Sequence, residues 1–261
     1  MIGVFDSGMG GLTAVKEILD IMPDAAIRYF GDTGRVPYGS RSRETIIRYA
    51  LQDARFLASQ KVGVILVACG TVSSTAMEAL RDELDIPVIG VVEPTAEAAV
   101  KATKNKKIGI IGTAATIASQ SYVKHIASLD PDIETYATAC PLFVPLVEGG
   151  FTAEGCQITE LAAEHYLAPL REKGIDTLIL GCTHYPIISD AIAKALPGVT
   201  LINSGSEAAR ALADIVAGNT DPTSDAKYYV SDSPEGFASA ASLFLGRRID
   251  GQVEKIDIEN Y

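Results

Sequence analysis

Two similar stretches of sequence decide the fold, Val64-Ile65-Leu66-Val67-Ala68-Cys69-Gly70-Thr71 and Leu178-Ile179-Leu180-Gly181-Cys182-Thr183. Each begins with consecutive aliphatic residues. A cysteine follows them, and a threonine comes one or two positions after the cysteine. Consecutive apolar residues are typical of a strand that is buried on both faces, as in a parallel sheet covered by helices. The two stretches therefore predict parallel strands, each with a cysteine just beyond its end.

The rest of the chain alternates short runs rich in Ile and Val with longer helical patterns, which predicts an α/β protein. The first eight candidate strands are Ile2–Phe5, Ala26–Gly31, Gly63–Ala68, Val88–Val92, Lys107–Gly112, Glu134–Ala139, Thr177–Leu180 and Thr200–Asn203. Later in the chain we expect a helix at Ser206–Val216, strands at Ala226–Val230 and Gln252–Ile258, and a capped helix start at Ser231–Glu235.

The chain contains an internal pseudo-repeat. The segment Ile2-Gly3-Val4-Phe5 opens the first part, and Ile108-Gly109-Ile110-Ile111 opens a second. From Gly3 to Cys69 is 66 positions, and from Gly109 to Cys182 is 73, so each cysteine occupies the same place in its half. Ligands of open parallel sheets bind beyond the carboxyl ends of the strands, where both cysteines are expected. The repeat predicts two pseudo-symmetric α/β domains with open parallel sheets and an active site in the cleft between them.

The predicted domains are not contiguous in sequence. A crossover near Glu93-Pro94 ends the first half, and the segment from about Ser204 returns to it. We therefore predict a first domain of residues 1–93 plus 206–261, which carries Cys69, and a second domain of residues 94–205, which carries Cys182.

Composition excludes several classes of protein. The formal charge of −11 argues against binding to nucleic acids or anionic membranes, which require basic patches. No run reaches the roughly 18 apolar residues of a membrane span, and the chain opens on a strand pattern without a basic leader, so we expect a cytoplasmic protein. The four cysteines are too scattered for a disulfide framework, and they lack the spacing of metal ligands, so no metal is expected.

The duplicated cysteines indicate acid–base chemistry at a carbon atom. A helix that begins directly after the strand lowers the pKa of a thiol at its start, so we expect Cys69 and Cys182 to favour the thiolate. Inverting a stereocentre needs one group to remove a proton and another to deliver one to the opposite face. Two equivalent thiols from two similar halves suit that reaction, whereas hydrolysis would need only one of them.

Three further side chains are candidates for assisting these thiols, although each also has an ordinary structural explanation. Asp6 follows the first strand and could orient or accept a proton from Cys69, or simply cap a helix. His184 lies two positions after Cys182, and Glu148 could be held partly desolvated beside it. The alternatives are a structural histidine and a surface carboxylate.

The other motifs in the sequence say less about function. The glycines after Asp6 do not form a dinucleotide-binding fingerprint, because Thr13 stands where the third glycine should be. Tyr38, within a Pro-Tyr-Gly turn, offers a hydroxyl over the cleft but taken alone is an ordinary turn. Cys140 and Cys156 lie outside the repeated position, and we interpret them as structural.

At these residues the chain resembles the glutamate racemases of the aspartate/glutamate racemase superfamily. The matching segments span nearly the whole chain and are Asp6-Ser7-Gly8-Met9-Gly10-Gly11, Pro37-Tyr38-Gly39, the Cys69 motif, Gly112-Thr113 through Thr116, Pro145 to Glu148, and Gly181-Cys182-Thr183-His184-Tyr185-Pro186. The resemblance implies an enzyme without a cofactor that supplies D-glutamate for peptidoglycan, and a homodimer.

The resemblance also implies a role for individual residues. Cys69 would deprotonate D-glutamate and Cys182 would deprotonate L-glutamate, assisted by Asp6, Glu148 and His184. Residues that would line the substrate are Ser7, Pro37, Tyr38, Gly39, Gly70, Thr71, Thr113, Thr116 and Thr183.

One position departs from the family pattern. Where the family usually has Ala-Cys-Asn-Thr-Ala-Ser, this chain has Ala68-Cys69-Gly70-Thr71-Val72-Ser73, so an amide that contacts substrate is missing. Gly70 keeps its backbone N–H and permits close approach, so we expect activity to be retained. The lack of an extension before Ile2 implies, by the same resemblance, no regulation by a peptidoglycan-precursor activator.

Other functions remain possible at this point. An aspartate racemase or a single-thiol decarboxylase or isomerase would use the same fold. A non-catalytic two-domain binding protein would use the same cleft without reactive thiols, and a cysteine hydrolase would use one thiol.

Overall fold

The computed structural model describes residues 1–217, 225–249 and 253–261. Its strands are β1 (Ile2–Asp6), β2 (Ile27–Gly31), β3 (Val64–Val67), β4 (Val88–Gly90), β5 (Lys107–Gly112), β6 (Glu134–Ala139), β7 (Thr177–Leu180), β8 (Thr200–Asn203), β9 (Ala226–Val230) and β10 (Val253–Lys255). The α-helices are α1 (Leu12–Ile21), α2 (Arg43–Ser59), α3 (Gly70–Thr75), α4 (Met77–Glu83), α5 (Val92–Ala102), α6 (Ala114–Ser119), α7 (Ser121–Leu129), α8 (Phe143–Glu148), α9 (Gln157–Glu172), α10 (Ser189–Ala195), α11 (Ser204–Val216) and α12 (Pro234–Leu245), and short 3₁₀ turns cover Tyr185–Ile188 and Ile258–Asn260.

The strands form two sheets whose described pairings are all parallel, so the prediction of an α/β fold is confirmed. The first sheet has the order β10-β9-β2-β1-β3-β4, and the second has the order β6-β5-β7-β8. The central part of the first sheet, β2-β1-β3-β4, has the same order of connections as the whole second sheet. This shared topology is the structural counterpart of the pseudo-repeat, with β9 and β10 added beside β2.

Most predicted elements are present, with shifts at their ends that have local causes. The strand expected at Val88–Val92 ends at Gly90, because α5 already begins at Val92. The helix expected from Ser206 begins at Ser204, because the Asn203 side chain accepts hydrogen bonds from the N–H groups of the first turn.

The C-terminal segment differs more from prediction. Gln252 lies outside the described residues, and the strand expected to run to Ile258 ends at Lys255 because a 3₁₀ turn begins at Ile258. The predicted capped helix start is confirmed in α12, where Ser233 is the N-cap and Pro234 occupies the first turn.

A hydrophobic core joins the two sheets. The largest buried cluster includes Val4 and Leu66 from the first sheet together with Leu178 and Leu180 from the second. Helix α11 packs against α1, so the chain after Asn203 returns to the first sheet. No helix among the described residues has both the length and the apolar character needed to cross a membrane.

Candidate active site

The two repeated cysteines lie just beyond equivalent strands. Cys69 follows β3 by two residues, and Cys182 follows β7 by two residues. Strands β3 and β7 each pair with the first strand of their half, β1 and β5. Each cysteine is therefore at the carboxyl end of a parallel sheet, where ligands of this fold class bind.

The turns that carry the two cysteines touch through their backbones. A Cβ atom placed on Gly70 would lie 2.2 Å from the Gly181 carbonyl oxygen and 3.7 Å from the Cys182 Cα. Such a contact is possible only because Gly70 has no side chain. The structure thus brings together the two turns that the repeat singled out.

Cys69 is buried beside two polar groups of the β1 turn. The residue is 5% exposed, and its Sγ lies 3.6 Å from the Ser7 Oγ. Burial, and after it the nearby Asp6 charge, raise the pKa of the Cys69 thiol to about 12, against hydrogen bonds that lower it. The expectation that the following helix would favour the thiolate of Cys69 is therefore wrong, because desolvation outweighs it.

Cys182 begins a chain of polar contacts. Its Sγ lies 3.8 Å from the His184 Nδ1, and the His184 Nε2 lies 3.0 Å from the Glu148 Oε1. Burial lowers the pKa of His184, but its bonds to Cys182 and Glu148 outweigh burial and raise that pKa to about 10. The imidazole is thus held as a cation between a thiol and a carboxylate.

Asp6 connects the two thiol environments. Its Oδ2 accepts a hydrogen bond of 2.9 Å from the Gly8 N–H, while its Oδ1 has no hydrogen-bond partner among the residues described. Burial raises the pKa of the Asp6 carboxyl, and the His184 charge opposes this. A buried carboxyl with one free oxygen is suited to exchange a proton with a neighbour.

A line of hydroxyl groups joins the two halves. The Thr71 and Thr113 hydroxyls are 2.9 Å apart, and the Thr113 and Thr116 hydroxyls are 3.0 Å apart. The Thr183 hydroxyl lies 3.3 Å from the His184 Nδ1. These four threonines are all among the predicted substrate residues; Thr71 and Thr113 meet across the two halves, Thr116 lies beside Thr113, and Thr183 lies beside His184.

The Pro37-Tyr38-Gly39 loop approaches the second half through its backbone rather than through the Tyr38 side chain. The Tyr38 hydroxyl bonds to the buried carboxylates of Asp32 and Asp53, so it does not face the cleft as a free donor. Gly39 reaches the second half, because its carbonyl accepts the Ala115 N–H at 3.0 Å. Pro37 itself is exposed.

The sequence reasoning missed a buried network that holds this loop. The Arg35 guanidinium bonds to Asp32 at 2.6 Å and to Asp53 at 3.1 Å, and the Ser231 hydroxyl donates to the Asp32 Oδ1 at 2.7 Å. Asp53 lies within helix α2, where an acidic residue is typical of an exposed face. Only its position on the same helical face as Ala50, Ala54 and Leu57 could have indicated burial.

Of the remaining cysteines, Cys140 lies near Cys182: burial, and after it the Cys182 charge, raise the pKa of the Cys140 thiol to about 12. Cys140 is fully buried and Cys156 is partly exposed, and neither is in a disulfide. Among the described residues, no group of three or more His, Cys, Asp and Glu side chains is arranged to hold a metal ion.

Comparison with known proteins places this chain in a family. The model of the Asp/Glu/Hydantoin racemase family matches residues 14–212. Glutamate racemase from Geobacter metallireducens is 46% identical over 264 residues, covering 99% of this chain and 97% of the relative. Glutamate racemase from Persephonella marina is 48% identical over 257 residues, covering 98% and 97%.

A solved structure of a glutamate racemase is also similar to this chain. The crystal structure of glutamate racemase from Francisella tularensis in complex with D-glutamate is 39% identical, with a TM-score of 0.92 over 100% of this chain and 98% of that one. The chain therefore belongs to the Asp/Glu/Hydantoin racemase family.

Proposed function

We propose that this protein is a glutamate racemase, which interconverts L- and D-glutamate without a cofactor and supplies D-glutamate for peptidoglycan synthesis. The observation that carries the proposal is the contact between the Gly70 and Gly181 backbones, which sets Cys69 and Cys182 on facing turns. The near full-length similarity to glutamate racemases supports glutamate as the substrate.

The reaction removes one proton from Cα, adds another proton to the opposite face, and so inverts that carbon. The thiolate of one cysteine removes the Cα proton from one face, and the thiol of the other delivers a proton to the opposite face. In the direction that consumes D-glutamate, Cys69 is the base and Cys182 is the acid. Each turnover leaves the two thiols in exchanged protonation states, ready for the reverse direction.

Different groups serve the two thiols. The free oxygen of Asp6 takes the proton that Cys69 must lose, which matters because the pKa of that thiol is about 12. His184, held as a cation by Glu148 at 3.0 Å, stabilises the thiolate of Cys182 or returns its proton.

The substrate is an anion in a protein whose net charge is −11, so its carboxylates must be met by local donors. Hydroxyls of Ser7, Thr71, Thr113, Thr116 and Thr183 and backbone N–H groups of the turns supply these donors. The substrate lining is completed by the backbones of Pro37, Tyr38, Gly39 and Gly70.

We further infer two domains, residues 1–93 plus 206–261 and residues 94–205, each contributing one thiol. A homodimer is supported by large apolar side chains that are exposed on the second half, at Leu142, Phe151, Ile158 and Leu161. Four free cysteines suit the reducing cytoplasm.

The test is incubation with L- or D-glutamate in deuterated water without cofactors, following optical rotation and deuterium at Cα. We expect racemisation with solvent deuterium in the product, and loss of racemisation in Cys69→Ala and in Cys182→Ala. Cys156→Ala is the matched control and should keep wild-type turnover, because that residue is partly exposed at the start of α9.

The same assay separates the other functions. A fully active Cys69→Ala or Cys182→Ala variant would refute the two-thiol mechanism. Faster turnover of aspartate than of glutamate would point to an aspartate racemase, and carbon dioxide or cleaved amide products would point to a decarboxylase or hydrolase.

A further inference from the structure

The turn that follows β7 lacks one of its own hydrogen-bond donors. The Cys182 and His184 carbonyls each accept the N–H of the residue three positions ahead, both at 3.1 Å. The same pattern would pair the Thr183 carbonyl with the N–H of residue 186, but Pro186 has none. Because Thr183 is buried, its carbonyl needs a donor from elsewhere in the molecule.

Thr13 supplies that donor from the other half of the molecule. Its hydroxyl donates to the Thr183 carbonyl at 3.0 Å, across 170 positions of sequence. The hydroxyl also lies 2.8 Å from the Gly10 carbonyl, which already accepts the Thr13 N–H at 3.0 Å. Thr13 is only 7% exposed, so its bond to the Thr183 carbonyl is shielded from water.

The turn between β1 and α1 lies directly against the catalytic candidates at this point. A Cβ atom on Gly10 would lie 2.2 Å from the Thr183 Oγ1 and 2.6 Å from the His184 Nδ1. The Thr183 carbonyl belongs to the peptide group that precedes His184. The bond from Thr13 therefore fixes the backbone from which the imidazole projects, and with it the distance of 3.8 Å between the His184 Nδ1 and the Cys182 Sγ.

We propose that Thr13 is a positioning residue, whose hydroxyl holds the peptide group before His184 and so sets how the imidazole meets the Cys182 thiol. The inference rests on the proposed racemase function. Thr13 acts through this peptide group, because Pro186 leaves its carbonyl to a donor from the other half. The half that carries Cys69 thereby orients the acid–base partner of the other thiol.

The experiment compares Thr13→Val, which removes the hydroxyl at nearly constant volume, with Thr13→Ser, which keeps it. Loss of one hydrogen bond that orients a catalytic group should lower kcat with L-glutamate by about 3- to 10-fold in Thr13→Val. The change in KM should be smaller, because the Thr13 hydroxyl is bonded to backbone carbonyls. Thr13→Ser should stay within about twofold of wild type.

The pH profile separates positioning from a simple loss of stability. Burial lowers the pKa of His184, whereas Cys182, Glu148 and Asp6 raise it, to about 10. An imidazole that is held less well loses part of the contribution from Cys182. The fall of kcat/KM at alkaline pH should therefore move to lower pH in Thr13→Val, by up to about one pH unit.

Thr103→Val is the matched control for the loss of a threonine hydroxyl. The Thr103 hydroxyl donates to the Asp176 carboxylate at 2.6 Å, just before β7 begins and so at the opposite edge of the sheet from the thiols. Removing it should lower stability in urea unfolding and leave the pH profile of kcat/KM as in wild type.

A double-mutant cycle with Pro186→Ala tests the missing donor directly. That substitution provides an N–H where the turn lacks one, so the loss of kcat caused by Thr13→Val should be smaller in the Pro186→Ala background than in wild type. Equal losses in the two backgrounds would overturn the proposal.

The outcomes are distinct. Wild-type protein that fails to racemise glutamate would refute the proposed function. Active wild type with a fully active Thr13→Val, or with an unshifted pH profile in that variant, would overturn only the positioning role. If Thr13→Val is insoluble, Thr13→Ala decides by the same two measurements, because it removes the hydroxyl without placing a methyl group against the Thr183 oxygen.

Discussion

Replacing His184 with asparagine should weaken the dependence of stability on pH between pH 6.5 and 8.5. In the folded protein the pKa of His184 is about 10, whereas an unfolded histidine titrates near 6.5. A raised folded-state pKa contributes stability that is complete below the unfolded pKa and is lost as pH rises through the folded value. From pH 6.5 to 8.5 the unfolded chain releases this proton and the folded protein keeps it.

The magnitude follows from that difference in bound protons. One proton held only by the folded state changes the free energy of unfolding by about 1.4 kcal/mol per pH unit. Half of the unfolded chains have already lost the proton at pH 6.5, so two pH units remove about 2 kcal/mol. The Glu148 side chain is 40% exposed, and solvent screening makes this an upper value.

The assay is urea unfolding of wild type and His184→Asn at intervals across this range. The variant should be less stable than wild type at pH 6.5. By pH 8.5 the difference between their free energies of unfolding should shrink by about 1–2 kcal/mol, which corresponds to about one bound proton. His165→Asn is the matched control for the loss of an imidazole, because that ring is exposed on α9. A His184→Asn gap that stays constant or widens would refute a histidine cation held between Cys182 and Glu148.

Two other predictions concern neighbouring contacts. Ser7→Ala removes a group that lowers the pKa of the Cys69 thiol, so the pKa should rise further and turnover of D-glutamate should fall about fivefold, roughly 1 kcal/mol, measured with the pH profile of kcat/KM. Unchanged alkylation of Cys69 at pH 9 would contradict this. Arg35→Met leaves the buried Asp32 and Asp53 without their cation and should cost about 3–5 kcal/mol in urea unfolding. Arg55→Met, which breaks an exposed pair with Glu83, should cost under about 1 kcal/mol, and equal losses would count against the buried network.

The parts of this structure that depend on local pattern could be predicted from sequence. Aliphatic runs identify buried parallel strands because both faces of the strand are covered, and this indicated β3 and β7 within a residue of their ends. The repeat placed Cys69 and Cys182 in equivalent positions because the order of connections in a parallel sheet determines which strand ends meet.

Properties that depend on the environment of a side chain could not be predicted. The pKa of Cys69 is set by burial and by Asp6, which lies far away in sequence, so the local helix start indicated the wrong direction. The Tyr38 hydroxyl was a candidate for substrate binding because nothing in the sequence shows that Asp53, within a helix, reaches it at 3.1 Å.

The two halves share a topology but not an acid–base system. Asp6, at the end of β1, has no acidic counterpart at the end of β5, which ends at Gly112 and is followed by Thr113. His184 follows Cys182 by two residues, whereas the same place after Cys69 holds Thr71. A racemase must run in both directions at comparable rates, since its two substrates are mirror images with equal free energies in water. In the proposed mechanism two different groups serve this reversible reaction, a carboxylate beside the thiol whose pKa is about 12 and an imidazolium beside the other. The duplication thus explains where the thiols lie, and the two halves surround them with different neighbours.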